Sequence, residues 1–235
     1  MIRALIWDLD GTIAETERDG HRVAFNQAFE AAGLAWRWSV ERYGELLQMT
    51  GGRERLLHDM AEQVDAPPIG AERDALARRL HRLKNQRYAE IVALGDIVAR
   101  PGVLRLMDEC AEAGVPLAVA TTTSRSNVDA LFHSLFGAQW PARFAALACA
   151  EDAPRKKPNP QVYLQVLQRL NCAASEVFAI EDSPNGLAAA RAAGIACGVT
   201  RSAYFAQASF VGATWVRDDL NSPERMTLDG LQASK

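Results

Sequence analysis

The sequence predicts an α/β fold, a parallel sheet flanked by helices with a helical cap inserted after the first strand. Two observations carry that expectation. One is the apolar run Ala4-Leu5-Ile6-Trp7, which ends in Asp8-Leu9-Asp10-Gly11-Thr12. The other is a change of texture along the chain. Residues 17–94 are rich in Arg, Glu, Ala and Leu, whereas short apolar runs alternate with helical patterns after Arg100-Pro101-Gly102. Strands alternating with helices imply a parallel sheet wrapped on both faces. The first strand belongs with the later ones, so the helical block reads as an insertion. The expected division is a discontinuous core, residues 1–15 and 95–235, and a cap of residues 16–94.

In the cap, Phe25, Ala28, Phe29 and Ala32 recur at i, i+3, i+4 and i+7, and Gly33 is a natural helix stop. Residues 39–49, 52–64 and 71–94 also read as helical, with Pro67-Pro68 separating the last two. In the core, residues 103–113 read as a helix ending at Gly114, and Val115 to Ala120 as a strand. A helix over 126–136 and a strand from Ala145 to Ala148 follow. Asn159-Pro160 opens a helix with the apolar stripe Val162, Tyr163, Val166, Leu167 and Leu170. Val177 to Ile180 is a strand, Ser183-Pro184 caps a helix ending near Gly194, and one last short strand follows. The tail from Asn221 is polar and carries no pattern.

Composition narrows the function. A chain of 235 residues buries enough apolar surface to fold without disulfide or metal staples. A formal charge of -3 gives no basic field for nucleic acid or an anionic membrane. The four cysteines lack C-x-x-C spacing and read as small buried hydrophobes. The N-terminal apolar run is too short for a signal peptide, and no stretch approaches the roughly 20 apolar residues of a membrane span. A soluble, cytoplasmic protein is expected, with a monomer as the default.

Ligands of doubly wound sheets bind beyond the carboxyl ends of the strands. The first strand delivers Asp8 and Asp10 there, the second Thr121-Thr122-Thr123-Ser124, and the fourth Glu181-Asp182-Ser183. Lys156 and Lys157 precede the helix at Pro160. Crowded carboxylates repel, and a divalent cation is their natural compensation. Hard oxygen donors favour magnesium, which keeps waters and a substrate phosphate. An EF-hand loop is excluded, because Gly11 is fourth in the Asp8 string and Asp19 twelfth.

With these motifs in order, the chain resembles the haloacid dehalogenase (HAD) superfamily, in the branch whose Rossmann-like core carries a four-helix, C1-type cap. Trp7-Asp8-Leu9-Asp10-Gly11-Thr12 is similar to its first motif, Ala120-Thr121-Thr122 to the second, Lys157-Pro158 to the third and Glu181-Asp182-Ser183 to the fourth. The resemblance implies a magnesium-dependent phosphoric monoester hydrolase that forms an aspartyl-phosphate. It makes Asp8 the nucleophile and a metal ligand. Asp10 becomes the general acid and base, with its backbone carbonyl on magnesium. Asp182 supplies a further metal carboxylate, and Glu181 an auxiliary one. Thr121 and Thr122 hold phosphoryl oxygens, and Lys157 neutralises the nucleophile and the phosphate, with Lys156 as the neighbouring alternative.

Stretches in the cap, His21-Arg22-Val23-Ala24-Phe25-Asn26 and Lys84-Asn85-Gln86-Arg87-Tyr88 among them, are similar to CbbY-like proteins and β-phosphoglucomutases. That resemblance implies a small phosphorylated sugar as substrate, such as xylulose-1,5-bisphosphate. A bisphosphate needs a second anion grip, for which Arg53 and Lys84 are candidates, with Glu17 reading sugar hydroxyls. Arg53 and Lys84 read equally well as solvated helix faces. His21 reads as a substrate contact, a hinge residue or packing. His58, His81 and His133 read as ordinary surface or core residues, and Trp36 and Trp38 as packing. A sugar-phosphate phosphatase, a phosphosugar mutase and a catalytically idle binding protein all remain open; the intact acid set disfavours the last.

Overall fold

The computed structural model describes residues 1–234. Among them, six strands form one parallel sheet in the order β3-β2-β1-β4-β5-β6. The strands are β1 (Ala4–Trp7), β2 (Leu117–Ala120), β3 (Ala146–Ala148), β4 (Val177–Glu181), β5 (Ala196–Thr200) and β6 (Val216–Arg217). Strands β1, β2 and β4 are buried at every residue, as their unbroken apolar character requires in a sheet covered on both faces.

Alternate side chains separate the two faces. Leu5, Trp7, Val119, Phe178 and Ile180 point to one side, against α5 (Val103–Glu112) and α6 (Arg125–Phe136). Ala4, Ile6, Ala118, Ala120 and Ala179 point to the other, against α7 (Gln161–Leu170) and α8 (Pro184–Ala192). A third apolar cluster lies in the insertion. It joins α1 (Arg22–Ala31), α2 (Val40–Leu46), α3 (Gly52–Asp59) and the start of α4 (Ala71–Ala93) through Phe25, Phe29, Trp38, Tyr43, Leu56 and Leu80. Trp36 and Trp38 pack here, their indoles donating to Asp65 at 2.5 Å and Asp59 at 2.7 Å. Helix α4 belongs to two clusters. Ala77 and Leu80 join the insertion's own core, while Tyr88 and Val92 join the first face of the sheet.

Helix ends follow the local chemistry. Ser39 and Ser183 cap α2 and α8 by accepting from Arg42 N and Gly186 N, both at 3.1 Å. Asn159 does not stand immediately before α7, as expected. Pro160 intervenes, and the Asn159 carboxamide accepts from Gln161 N at 3.1 Å. The second strand starts at Leu117 rather than Val115, because Pro116 cannot donate to a ladder. Helices α2 and α3 stop at Leu46 and Asp59, short of the expected 49 and 64.

Two elements went unexpected. Strand β6 extends the sheet beyond β5. The tail is not featureless either, since α9 (Leu228–Ser234) brings Leu228 and Leu231 into the first core cluster. Leu231 is fully buried. Leu231→Ala should therefore cost about 2–5 kcal/mol in urea unfolding. A loss below about 0.5 kcal/mol, the range of ordinary surface changes, would show that α9 only decorates the fold.

Candidate active site

Register builds the site. Trp7 pairs with Val119 on one side and Ile180 on the other. One residue further along lie Asp8, Ala120 and Glu181, in a row across three adjacent strand ends. Lys157 closes that row. Its ammonium donates to Asp8 Oδ1 at 2.6 Å, Glu181 Oε1 at 2.6 Å and the Ala120 carbonyl at 2.8 Å, so all three protons are used. Lys156 is not the residue at this point. Its ammonium turns to the carbonyls of Ala150 and Ala153, at 2.6 and 3.1 Å. Burial alone would depress Lys157, but Asp8 and Glu181 outweigh it and hold the amine above its ordinary value. Thr12 donates to the second oxygen of Asp8 at 3.2 Å, and the Tyr163 hydroxyl donates to Glu181 Oε1 at 2.5 Å.

Asp10 sits beside Asp8 but keeps different company. Thr16 Oγ1 donates to its Oδ1 at 2.6 Å, and His21 Nε2 lies 2.9 Å from the same oxygen. The His21 ring stacks on Tyr88 with centroids 4.1 Å apart. The single π turn Glu17–His21, closed by His21 N to Thr16 O at 2.7 Å, brings both groups to Asp10. Burial raises Asp10, but His21 and Thr16 overcome it and hold the carboxyl at about 2. Asp8 goes the other way. Burial, then the Glu181 charge, push it up to about 7 against the pull of Lys157.

Asp8, Glu181 and Asp182 can each bring a carboxylate oxygen within 4.8 Å of the others, all buried. Asp182 is pushed well up by burial and by its two neighbours. One lysine does not balance this set, so a hard divalent cation fits it. Glu181 is bound to Lys157 and Tyr163, and Asp8 to Lys157 and Thr12, which leaves Asp182 as the freest donor. Two glycines make the room. A Cβ on Gly11 (φ +86°) would run into the Asp182 carboxylate, and one on Gly186 into that of Glu181.

A cleft continues from Asp8, Thr121, Thr122, Lys157 and Asp182 towards the insertion. Glu17, Gly51 and Arg55 line its middle, and Arg53, His81, Lys84 and Lys156 its far end. Thr121 is buried and its hydroxyl accepts from Thr123 N at 3.1 Å. Glu17 accepts from the Tyr43 hydroxyl at 2.5 Å, and Arg55 donates to the same hydroxyl at 2.8 Å. Arg53 pairs loosely with Asp74 at 3.3 Å. Polar straps join insertion and core. Asn185 donates to the Gln48 carbonyl and Thr50 Oγ1 at 3.2 and 3.0 Å, and Asn85 donates to Ser124 Oγ at 3.3 Å.

Every residue expected at the site therefore lies along this cleft or against its carboxylates. His21 combines a packing contact with one to Asp10. His81, read as ordinary, lines the far end, where burial and then the Lys84 charge hold its imidazole at about 4. Thr16, Arg55 and Tyr163 were missed. Arg55 sits two residues beyond Arg53 in the same basic stretch, the one local signal available; Tyr163 was read only as part of an apolar stripe.

Helices on both faces of a parallel sheet, clustered carboxylates at its rim and a helical insertion above them define a Rossmann-like α/β protein with an acidic site at its strand ends. The chain belongs to the haloacid dehalogenase-like hydrolases, whose family model matches residues 2–194. It is 46% identical to protein CbbY of Cupriavidus necator over 94% of this chain and 87% of that one. It is 43% identical to CbbY of Rhodobacter capsulatus over 94% and 95%. The solved structure of a CbbY variant from Rhodobacter sphaeroides in complex with xylulose-1,5-bisphosphate superposes with a TM-score of 0.90, at 39% identity over 98% of this chain and 99% of that one.

Lys84 yields a test of the cleft's electrostatics. Its side chain is 3% exposed, over the rings of Phe25 and Tyr88, with no carboxylate in ion-pair range among the described residues. Burial pulls the amine down to about 7. The unfolded chain then holds the proton more tightly, so stability rises with pH between about 7 and the ordinary lysine value of about 10.4. Lys84→Met should raise the melting temperature at pH 6, and the gain should shrink above pH 7. A melting temperature lowered at both ends of that range would refute this.

Proposed function

We propose that the protein is a magnesium-dependent phosphatase of a sugar bisphosphate, with xylulose-1,5-bisphosphate as substrate and an aspartyl-phosphate on Asp8 as intermediate. One observation carries this reading. A carboxylate held by a charged lysine closes one end of the cleft, and Arg53, Arg55, Lys84 and Lys156 gather along the rest. The first end suits phosphoryl transfer, and the second offers cations for another phosphate. The ligand of the R. sphaeroides structure supports the choice of sugar.

In the first step an Asp8 oxygen attacks phosphorus, the bond from phosphorus to the sugar oxygen breaks, and Asp10 passes a proton to that oxygen. Asp10 sits low in the free protein, so it gains its proton once substrate brings negative charge beside it. In the second step Asp10 takes a proton from water, whose oxygen attacks phosphorus. The bond to Asp8 breaks and inorganic phosphate leaves. Lys157 keeps its proton throughout and balances charge at Asp8. Thr121 and Thr122 hold the phosphoryl oxygens, and Glu17 reads sugar hydroxyls. Magnesium, held by the carboxylates of Asp8 and Asp182 and the Asp10 carbonyl with Glu181 in support, would neutralise the transferring phosphoryl group.

Residues 16–94 act, in this reading, as the cap that excludes water. The four cysteines are free, the state a reducing cytoplasm maintains, and among the described residues no helix is long and apolar enough to cross a membrane. Asp8→Asn should cut magnesium-dependent phosphate release more than about 10³-fold with the fold intact; wild-type turnover would remove Asp8 from the mechanism. Arg53→Ala should raise KM for the bisphosphate about tenfold, the worth of one charged hydrogen bond, and leave a monophosphate nearly unchanged. Equal effects on both would undo the second-phosphate assignment. Glucose-6-phosphate from β-glucose-1-phosphate and a bisphosphate primer, with little free phosphate, would instead favour a mutase.

A further inference from the structure

Arg100 lies outside every motif, yet its guanidinium, on a side chain 8% exposed, converges with the metal-binding loop. Nη1 donates to the Gly11 carbonyl, to the Thr200 carbonyl at 3.0 Å and to Thr200 Oγ1 at 3.2 Å. Nη2 donates to the carbonyls of Arg201 at 2.5 Å and Asp218 at 2.7 Å. Glu15 lies 3.6 Å from Nε. The backbone joins in, because Arg100 N donates to the Ile13 carbonyl at 2.8 Å and Ala99 bridges to Ala14. One side chain therefore ties the turn after Asp10 to the ends of β5 and β6, beside the returning link from the insertion.

The turn it grips is the one whose spacing matters most. Gly11 packs directly on the Asp182 carboxylate, with no room for a Cβ. The carbonyl that Arg100 holds belongs to the residue following Asp10. A shift of that turn changes the separation of Asp8 and the Asp10 carbonyl, on one strand end, from Asp182 on another. Magnesium tolerates little departure from octahedral geometry, so its affinity reads such a shift directly. Lysine could not substitute, because a single ammonium cannot span four carbonyls.

We propose that Arg100 is a positioning residue for the metal site, fixing the Asp8–Asp10 turn against Asp182 and so setting magnesium affinity. The proposal rests on the metal-site reading above. Arg105 supplies the control. It too clamps backbone carbonyls, those of Leu220 and Met226 at 2.9 and 3.0 Å, but it touches no residue of the site. Calorimetric titration with magnesium chloride would be run on wild type, Arg100→Lys, Arg100→Gln and Arg105→Gln, each with a thermal melt. The expected result is a dissociation constant raised about 10-fold to 100-fold in Arg100→Gln. Arg100→Lys, which keeps the charge and folds most readily, should be intermediate, and Arg105→Gln should melt earlier but bind magnesium as wild type does. In the Arg100 variants the loss of turnover should recover at high magnesium, with KM for substrate nearly unchanged. Wild-type magnesium affinity in a folded Arg100→Lys or Arg100→Gln protein would overturn this proposal alone, as would an equal loss of affinity in Arg105→Gln. A wild-type protein that takes up no magnesium would overturn the metal reading and this proposal together.

Discussion

The ammonium of Lys157 is the interaction on which the site depends. It is buried, and its three protons meet acceptors from the ends of three neighbouring strands. Two carboxylates and a carbonyl compensate that buried charge, and the carboxylates draw on it in turn. The parallel register of β2, β1 and β4 makes the arrangement possible, since it brings Asp8, Ala120 and Glu181 level. Sheet pairing and site electrostatics are thus one constraint. A register slip would separate the proposed nucleophile from its counter-ion and exchange the side chains packed on the sheet's two buried faces.

The insertion and the core are held together in two unlike ways. Each has an apolar cluster of its own, and α4 runs from one into the other. Around the cleft the contacts are mixed: Tyr204 and Phe205 of the core pack on the insertion's cluster, Tyr204 with its ring centroid 5.8 Å from that of Tyr43, and polar contacts stand beside them. Asn185 reaches Gln48 and Thr50, Asn85 reaches Ser124, and Thr16 and His21 reach Asp10. Hydrogen bonds at a cleft can be exchanged for water at small net cost, whereas apolar contacts cannot. The apolar seam along α4 is the more extensive joint, and the rim adds polar contacts to a smaller aromatic one.

Strands β1 and β4 and the carboxylates that follow them were legible because a buried strand has an unbroken apolar run and the motif residues stand directly after it. Lys157 over Lys156 was legible from Pro158. Other features left no pattern. Strand β6 has two residues and α9 has seven, too few for periodicity to show. Arg100 acts on carbonyls, which every residue carries, so no partner type marks it in the sequence. Tyr163 occupies a regular position on an apolar stripe, and only its hydroxyl, 2.5 Å from Glu181, separates it from an ordinary core residue. Arg55 and Thr16 depend on how the insertion folds back, information spread over many side chains rather than held in one string.

Gly11 and Gly186 carry no functional group, yet the carboxylates of Asp182 and Glu181 occupy the volume that a side chain would fill. The shape of the acidic centre is therefore encoded partly as missing atoms. One added methyl group at either position would displace an acid without altering any charge. In a saturation-mutagenesis map of this chain, these two glycines would rank with the carboxylates themselves, and a search for reactive groups alone would have no reason to look at them.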